Sequence, residues 1–101
     1  MAYRILIVDD DIELLKMLKN YFEIKRYDVM MAEDGTDALE KIHKKPDIIL
    51  LDINMPKMDG YEATREIRKV SKTVPIIAVT AYSFASDKEK IMQNGFNGYM
   101  S

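Results

Sequence analysis

Four polar residues directly follow three runs of apolar residues in this chain of 101 residues. They are Asp9 and Asp10 after the first run, Asp52 after the second and Thr80 after the third. A single polar residue at the end of a strand usually just begins a solvated loop. Three converging carboxylates are different, because like charges repel and the fold gains no stability from holding them together. If the three runs are neighbouring strands, the pattern indicates a functional site.

The residue types at these positions suggest a particular chemistry. A cluster of carboxylates needs a cation, and oxygen ligands without His or Cys favour Mg²⁺, Mn²⁺ or Ca²⁺. Mg²⁺ held by a pair of carboxylates keeps positions open for phosphate oxygens, so phosphoryl transfer is the natural reaction class. A carboxylate can itself accept the phosphoryl group. Asp52 is the best candidate acceptor because it ends the central strand, while Asp9 and Asp10 would hold the metal.

The elements that would position these residues alternate along the chain. Short unbroken apolar runs at residues 5–8, 48–51 and 76–79 are typical of strands that are covered on both faces of a parallel sheet. Weaker strand signals lie at residues 28–32 and 98–100. Helical spacing of apolar residues, with Asp11 and Asp59 as N-caps, predicts helices at residues 11–22, 36–44, 59–71 and 86–94. The third helix carries Val70 on its apolar face with Ala63 and Ile67, and Met92 of the fourth is expected to face inward with Ile91. This order predicts a doubly wound α/β domain, in which ligands bind at the carboxyl ends of the strands.

The composition excludes several classes of protein. A chain of this length forms one compact domain, residues 1–101, and 48% apolar with 32% charged residues is typical of a soluble globular protein. The formal net charge of −2 lacks the basic excess of a nucleic-acid-binding surface. The absence of Cys excludes disulfides, zinc ribbons and thiol nucleophiles. No apolar stretch is long enough for a signal peptide or a membrane span, so we expect a cytoplasmic protein.

Two features argue against kinase activity of the chain itself. His43 lies near the end of the second predicted helix, away from the strand ends, and is interpreted as a surface histidine. The four glycines form neither a G-x-x-x-x-G-K-[S/T] nor a G-x-G-x-x-G phosphate-binding motif. We therefore expect the phosphodonor to be another molecule.

The same residues carry a resemblance to the receiver domain of two-component response regulators. The matching stretches are ILIVDDD at residues 5–11, LDINMPKMDG at residues 51–60 and PIIAVTA at residues 75–81. The resemblance runs from residue 4 to the end of the chain, and its middle stretch is highly specific. The sequence TAY at residues 80–82 and the terminal GYMS are also similar to receivers fused to hybrid sensor kinases. The resemblance implies a flavodoxin-like fold with strand order 2-1-3-4-5.

The resemblance further implies how phosphate is taken up. Asp52 would accept it from the phosphohistidine of a histidine kinase or a histidine phosphotransfer protein. Asp9, Asp10 and Asp52 would hold Mg²⁺, with Mn²⁺ as an alternative, and the backbone carbonyl of Asn54 would complete the protein ligands. The domain would assist its own phosphorylation and dephosphorylation without being a kinase.

The resemblance also implies how the phosphorylated state is read out. Thr80 would bind the phosphoryl oxygen, and Tyr99 would be an aromatic switch that turns inward when the threonine hydroxyl is drawn to the phosphate. This movement would change a surface near helix 4 and strand 5. Asn54, Ala81 and Tyr82 would tune the access of water and of the phosphodonor.

Two parts of the family pattern do not occur in this sequence. Receivers carry a lysine shortly after the aromatic residue of the fifth strand, and none of the eleven lysines is at a matching position. A last helix that covers one face of the sheet is also absent, so we expect a receiver that is cut short. The uncovered apolar face predicts homodimerisation, domain swapping or reduced stability.

Two alternative functions are compatible with the sequence. A Mg²⁺-dependent phosphohydrolase with an aspartyl nucleophile would need an acid or base carboxylate two residues after Asp52, where Asn54 stands. A truncated or pseudo-receiver would act as an association module whose binding does not depend on phosphorylation. Mg²⁺ binding and phosphate uptake would separate this module from a phosphoacceptor.

Overall fold

Strands and helices alternate along the chain in the computed structural model, which describes residues 2–55, 58–80 and 85–100. The strands are β1 (Arg4–Val8), β2 (Asp28–Ala32), β3 (Ile48–Asp52), β4 (Ile76–Val79) and β5 (Gly98–Met100). The helices are α1 (Ile12–Ile24), α2 (Gly35–Lys41), α3 (Gly60–Val70) and α4 (Ala85–Gln93), and a 3-10 turn at Ile42–Lys44 directly follows α2.

The strands form one parallel sheet with the order β2-β1-β3-β4-β5. This result confirms both the predicted fold class and the predicted strand order. Val8 lies beside Leu51 in the register of β1 and β3, and Asp52 lies beside Val79 in the register of β3 and β4. The residues that follow these three strands therefore meet at one edge of the sheet.

Alternate residues of each strand pack on opposite faces of the sheet. On one face, residues such as Leu6 and Leu51 form a large buried cluster with α2, α3 and α4. On the other face, Ile5, Ile7 and Leu50 pack with Leu15 of α1. Within the described residues, α1 is the helix that contributes to this second cluster.

The helix starts agree with the predicted caps, but two predicted inward positions are wrong. The side chains of Asp11 and Asp59 accept the backbone N–H groups of the first turns of α1 and α3. Val70 is 61% exposed and Met92 is 51% exposed, although both were predicted to face the core. Burial on α3 instead includes Thr64, whose hydroxyl donates to a backbone carbonyl one turn earlier and so is satisfied without water.

His43 is exposed in the 3-10 turn, as predicted for a surface histidine. It lines a surface groove with Asp47 and Pro75, which precede β3 and β4, so it lies at the opposite end of the sheet from the acidic residues. In the part of the chain that the structure describes, none of the helices is both long and apolar enough to span a membrane.

Candidate acidic site at the carboxyl end of the sheet

Asp9, Asp10 and Asp52 form an acidic cluster where β1 and β3 end. One carboxylate oxygen of each residue lies within 4.8 Å of the corresponding oxygens of the other two. Asp9 is buried, Asp52 is half-buried and Asp10 is exposed. The structure thus brings together the three carboxylates that were expected to converge, and it leaves one side of the cluster open to solvent.

Two short turns fix the carboxylates in the cluster. Oδ1 of Asp9 accepts the backbone N–H of Asp11 at 2.9 Å, and Oδ1 of Asp52 accepts the backbone N–H of Asn54 at 3.1 Å. In both turns an aspartate side chain binds the backbone two residues further on, a conformation that aspartate favours. Each carboxylate is thus oriented by the backbone of its own strand end, and the side chains of Asp9 and Asp52 are also hydrogen-bonded to each other.

Burial and mutual repulsion shift the ionisation of the cluster. Burial raises the pKa of Asp9 to about 6, and the negative charges of Asp52 and Asp10 act in the same direction. Burial is also the main cause of the raised pKa of Asp52, and the charge of Asp10 contributes. Hydrogen bonds to the carboxylates, from Asp11 to Asp9 and from Asn54 to Asp52, oppose both shifts. A bound cation would relieve this repulsion, since it favours the ionised forms.

The donor set suits a hard divalent cation. The three groups are carboxylates, which Mg²⁺ and Ca²⁺ prefer, and the open side of the cluster leaves room for water or a ligand oxygen. Among the described residues, Asp9, Asp10 and Asp52 are the group of acidic or histidine side chains whose ligand atoms lie close enough together to hold a metal ion.

The start of α3 packs unusually closely against the end of β3. A Cβ atom added to Gly60 would lie 2.6 Å from Cα of Ile53 and 2.7 Å from the backbone oxygen of Asp52. The N–H of Gly60 also donates to the carbonyl of Ile53 at 2.9 Å. Only glycine permits this approach, so Gly60 helps to set the position of the strand end that carries Asp52.

Thr80 lies at the same edge of the sheet and is directly connected to β5. It follows Val79, which pairs with Asp52, and its side chain is buried. Its backbone N–H donates to the carbonyl of Met100 at 3.0 Å. Tyr99, the residue before Met100, is 37% exposed, and Nζ of Lys88 lies 5.5 Å from the centroid of its ring. Of the predicted switch pair, Thr80 therefore directly follows β4, and Tyr99 lies in the neighbouring strand β5.

Ala81 and Tyr82, which the sequence analysis placed beside the site, lie outside the described residues. Asn54 is exposed next to Asp52, and its side chain borders a surface groove of about 560 Å³ beside the cluster.

This groove contains residues that sequence reasoning missed. Besides Asp10 and Asn54, it is lined by Tyr61 at the start of α3 and by Lys90 of α4. Nζ of Lys90 lies 4.5 Å from the centroid of the Tyr61 ring, a cation–π contact that holds a positive charge near the acidic cluster. Lys90 is far from the acidic motifs in the sequence, and no local pattern could have linked it to them.

A parallel sheet of this strand order, with an acidic cluster at its carboxyl edge, defines a receiver-type signalling domain. The profile of the family described as "Response regulator receiver domain" matches residues 5–101, and the chain belongs to this family. The resemblance stated from the sequence is therefore confirmed.

Several known proteins are similar to this chain. It is 45% identical over 78 residues to the transcriptional regulatory protein CpxR homolog of Haemophilus influenzae, which covers 77% of this chain and 34% of that protein. It is 39% identical over 98 residues to the sensor histidine kinase RcsC of Escherichia coli, which covers 96% of this chain and 10% of that protein. The chain thus spans about a third and about a tenth of these two relatives.

The fold is also similar to solved structures. The chemotaxis protein CheY4 of Vibrio cholerae superposes with a TM-score of 0.95 at 32% sequence identity, covering 99% of this chain and 86% of that one.

Proposed function

We propose that this receiver domain is a phosphoacceptor, in which Asp52 takes a phosphoryl group from the phosphohistidine of a histidine kinase or a histidine phosphotransfer protein. The observation that carries the proposal is the convergence of three carboxylates within 4.8 Å at the functional edge of a receiver fold. The proposal gives this chain a cytoplasmic signalling role and no kinase activity of its own. It also explains why the fold tolerates the repulsion within the cluster.

The chemistry would be a displacement at phosphorus. An oxygen of the ionised Asp52 carboxylate forms a bond to the phosphorus while the bond from phosphorus to the donor imidazole nitrogen breaks, and the electron pair of that bond stays on the nitrogen. The N–H of Asn54 keeps Oδ1 of Asp52 in place, so that the carboxylate is oriented before the donor arrives.

Asp9, Asp10 and Asp52, with the backbone carbonyl of Asn54, would hold Mg²⁺ or Mn²⁺ beside the acceptor. When bound, the ion neutralises negative charge on the phosphoryl oxygens. Burial of Asp9 restricts it to an inner position of the cluster, whereas the exposed Asp10 lies on the solvent side.

The readout would pass from Thr80 to β5. The hydroxyl of Thr80 would bind a phosphoryl oxygen, and its N–H is already hydrogen-bonded to Met100. A displacement of Thr80 would therefore also move Met100, the residue next to Tyr99. Tyr99 would then turn inward and change the surface of α4 and β5. Asn54, Ala81 and Tyr82 would control how readily water reaches the acyl phosphate.

Intact mass after incubation with acetyl phosphate tests the phosphoacceptor function. We expect the wild type to gain one phosphoryl group in the presence of Mg²⁺ and none in the presence of a chelator. Asp52→Asn should gain none, and Asp47→Asn, which alters a carboxylate at the opposite end of the sheet, should gain as much as the wild type. No gain by a wild type that is shown to be folded by circular dichroism would contradict the proposal.

The alternative function is an association module that works without phosphorylation, as a homodimer or a domain swap. The observation in its favour is the partial exposure of apolar residues on the sheet face that α1 covers in part. On this face Ile77 and Val79 are half-buried and Met100 is 47% exposed. This module would associate equally well as wild type and as Asp52→Asn. A phosphoacceptor would instead lose its function in that variant.

A further inference from the structure

α1 carries a second stripe of apolar residues that faces away from the sheet. Leu15 is buried against the strands, and Leu18 and Phe22 pack beside it, which completes the inward face. The outer seam, as we call the other stripe, consists of Leu14, Met17, Tyr21 and Ile24. Met17 is 69% exposed, Tyr21 is 53% exposed and Ile24 is 72% exposed, while Leu14 is half-buried at the edge of the inward face.

The spacing of the outer seam is that of a helix that packs against another helix. Its residues follow one another at intervals of three, four and three, which is the a and d pattern of a coiled coil. Exposed apolar residues that occur singly are normal on protein surfaces. Val70 of α3 and Met92 of α4 are single residues of this kind. The outer seam is instead continuous over almost the whole length of α1.

The charges at the ends of α1 indicate which helix would fit. Asp11 and Glu13 make the N-terminal end acidic on balance, although Lys16 lies 4.0 Å from Glu13. The last turn of α1 contains the acidic Glu23 and no basic residue, but the exposed Lys25 and Arg26 directly follow it and make this end basic on balance. A second α1 in antiparallel orientation would place each acidic end next to a basic end. A parallel copy would place like charges together. Antiparallel helix dipoles favour the same arrangement.

An antiparallel copy also matches the apolar residues of the outer seam. A two-fold axis midway between Met17 and Tyr21 places Met17 opposite Tyr21 of the second copy, and Leu14 opposite Ile24 of the second copy. Each layer then combines an a position with a d position, as in antiparallel coiled coils. The interface would be isologous, so the same surface serves both subunits.

We propose that the outer seam of α1 is a self-association surface through which two copies of this chain pair in antiparallel orientation. The partner is a second copy because both the apolar spacing and the end charges of α1 are complementary to α1 itself. The proposal does not rest on phosphoacceptor chemistry, since none of the outer seam residues belongs to the acidic cluster. It also uses a different surface from the sheet face that contains Met100.

Sedimentation equilibrium over a concentration series tests this surface. We expect the wild type to dimerise, and we expect Met17→Gln combined with Ile24→Gln to raise the dissociation constant at least tenfold. Met92→Gln is the matched control, because it removes an exposed methionine from another helix, and it should leave the constant unchanged. Thermal melts should show that all variants fold. A wild type that stays monomeric at every concentration, or equal weakening by Met92→Gln, would overturn the proposal.

Charge reversal tests the orientation. Glu13→Lys and Lys25→Glu should each weaken self-association, because each places like charges at both ends of the antiparallel pair. A mixture of the two variants should restore it, because both ends of the mixed dimer are then complementary. Dimerisation that is unchanged in each variant alone would overturn the antiparallel arrangement. If Met100→Gln abolished dimerisation and the double variant Met17→Gln, Ile24→Gln did not, the dimer would form through the sheet face. That result would refute self-association through the outer seam.

Discussion

The two ends of the same parallel sheet arrange charge in opposite ways. At the amino end, Nε of Arg4 pairs with Asp28 at 3.3 Å, and the backbone N–H of Arg4 donates to Asp47 at 2.7 Å. At the carboxyl end, three carboxylates lie within 4.8 Å of one another. Opposite charges stabilise the first end, whereas like charges oppose folding at the second. The difference supports the proposal that the carboxyl end serves binding and chemistry rather than stability.

The amino end also contains a guanidinium group that joins separate elements. Arg68 donates to the backbone carbonyl of Gly95 at 2.8 and 3.0 Å and to that of Val74 at 2.7 Å. It also donates to Oδ1 of Asn97 at 2.6 Å, and the same oxygen accepts the N–H of Ile76 at 2.9 Å. One side chain thus connects α3 to the start of β4 and to the segment before β5.

Removal of this connection should have the largest effect on stability. Arg68→Ala should lower the free energy of unfolding by about 4 kcal/mol, because several carbonyls lose a charged donor. Arg65→Ala is the matched control, since the exposed Arg65 makes one hydrogen bond to Asn94, and it should cost less than about 1 kcal/mol. Urea denaturation measures both values. Equal losses in the two variants would show that the Arg68 contacts are unimportant.

A methyl group on Gly60, where the start of α3 contacts the end of β3, should disturb the strand that carries Asp52. Gly60→Ala should lower the free energy of unfolding by about 3 kcal/mol, because the new Cβ overlaps backbone atoms of Ile53 and Asp52. It should also slow phosphorylation by acetyl phosphate. Gly98→Ala places its Cβ at 3.4 Å from a side-chain atom of Ile77, an ordinary contact, and should be nearly neutral. A neutral Gly60→Ala would contradict the described packing.

The like charge at the carboxyl end predicts a specific pH dependence. The pKa of Asp9 is raised from 3.8 to about 6, so the folded state binds this proton more tightly than the unfolded state does. In the absence of divalent cations, the contribution of Asp9 is therefore most favourable below pH 3.8 and is lost as the pH rises through about 6. The loss should amount to about 3 kcal/mol, and Asp9→Asn should abolish it. Urea denaturation at a series of pH values measures the free energy of unfolding of the wild type and of Asp9→Asn. If the pKa of Asp9 were not raised, the two free energies would change with pH in the same way.

The ion pair at the amino end should contribute least. Arg4→Met with an intact Asp28 removes the ion pair and the hydrogen bond from Nη1 of Arg4 to the carbonyl of Lys44 at 2.6 Å. It should lower the free energy of unfolding by only about 1 kcal/mol, because both charged side chains are about half exposed. A double-mutant cycle with Asp28→Asn measures the coupling between the two. A coupling of several kcal/mol would contradict the view that individual surface charges matter little at this end.

Much of the fold and the core of the site could be predicted because their signals are local. Apolar runs indicated the strands, capping aspartates indicated the helix starts, and the topology of parallel sheets brought Asp9 and Asp52 together. The inward placement of Val70 and Met92 was wrong, because helical spacing does not reveal where the contact with the sheet ends.

Other features depend on contacts between distant elements. The Lys90–Tyr61 pair and the hydrogen bonds of Arg68 arise only when α3, α4 and the loops pack together. The outer seam of α1 was present in the sequence, but α1 is apolar on two sides. Spacing alone could not show which side would be buried.

The effect of Mg²⁺ on the unfolding of the wild type and of Asp9→Asn at neutral pH is the direct test of whether the carboxyl end of the sheet holds its carboxylates together to bind a cation. In the absence of the ion, Asp9→Asn should be more stable than the wild type, because one repelling carboxylate has been removed. Addition of Mg²⁺ should stabilise the wild type by mass action and the variant much less. A wild type that is more stable than Asp9→Asn without the ion, and that does not respond to Mg²⁺, would contradict the claim that the carboxyl end holds like charge for binding.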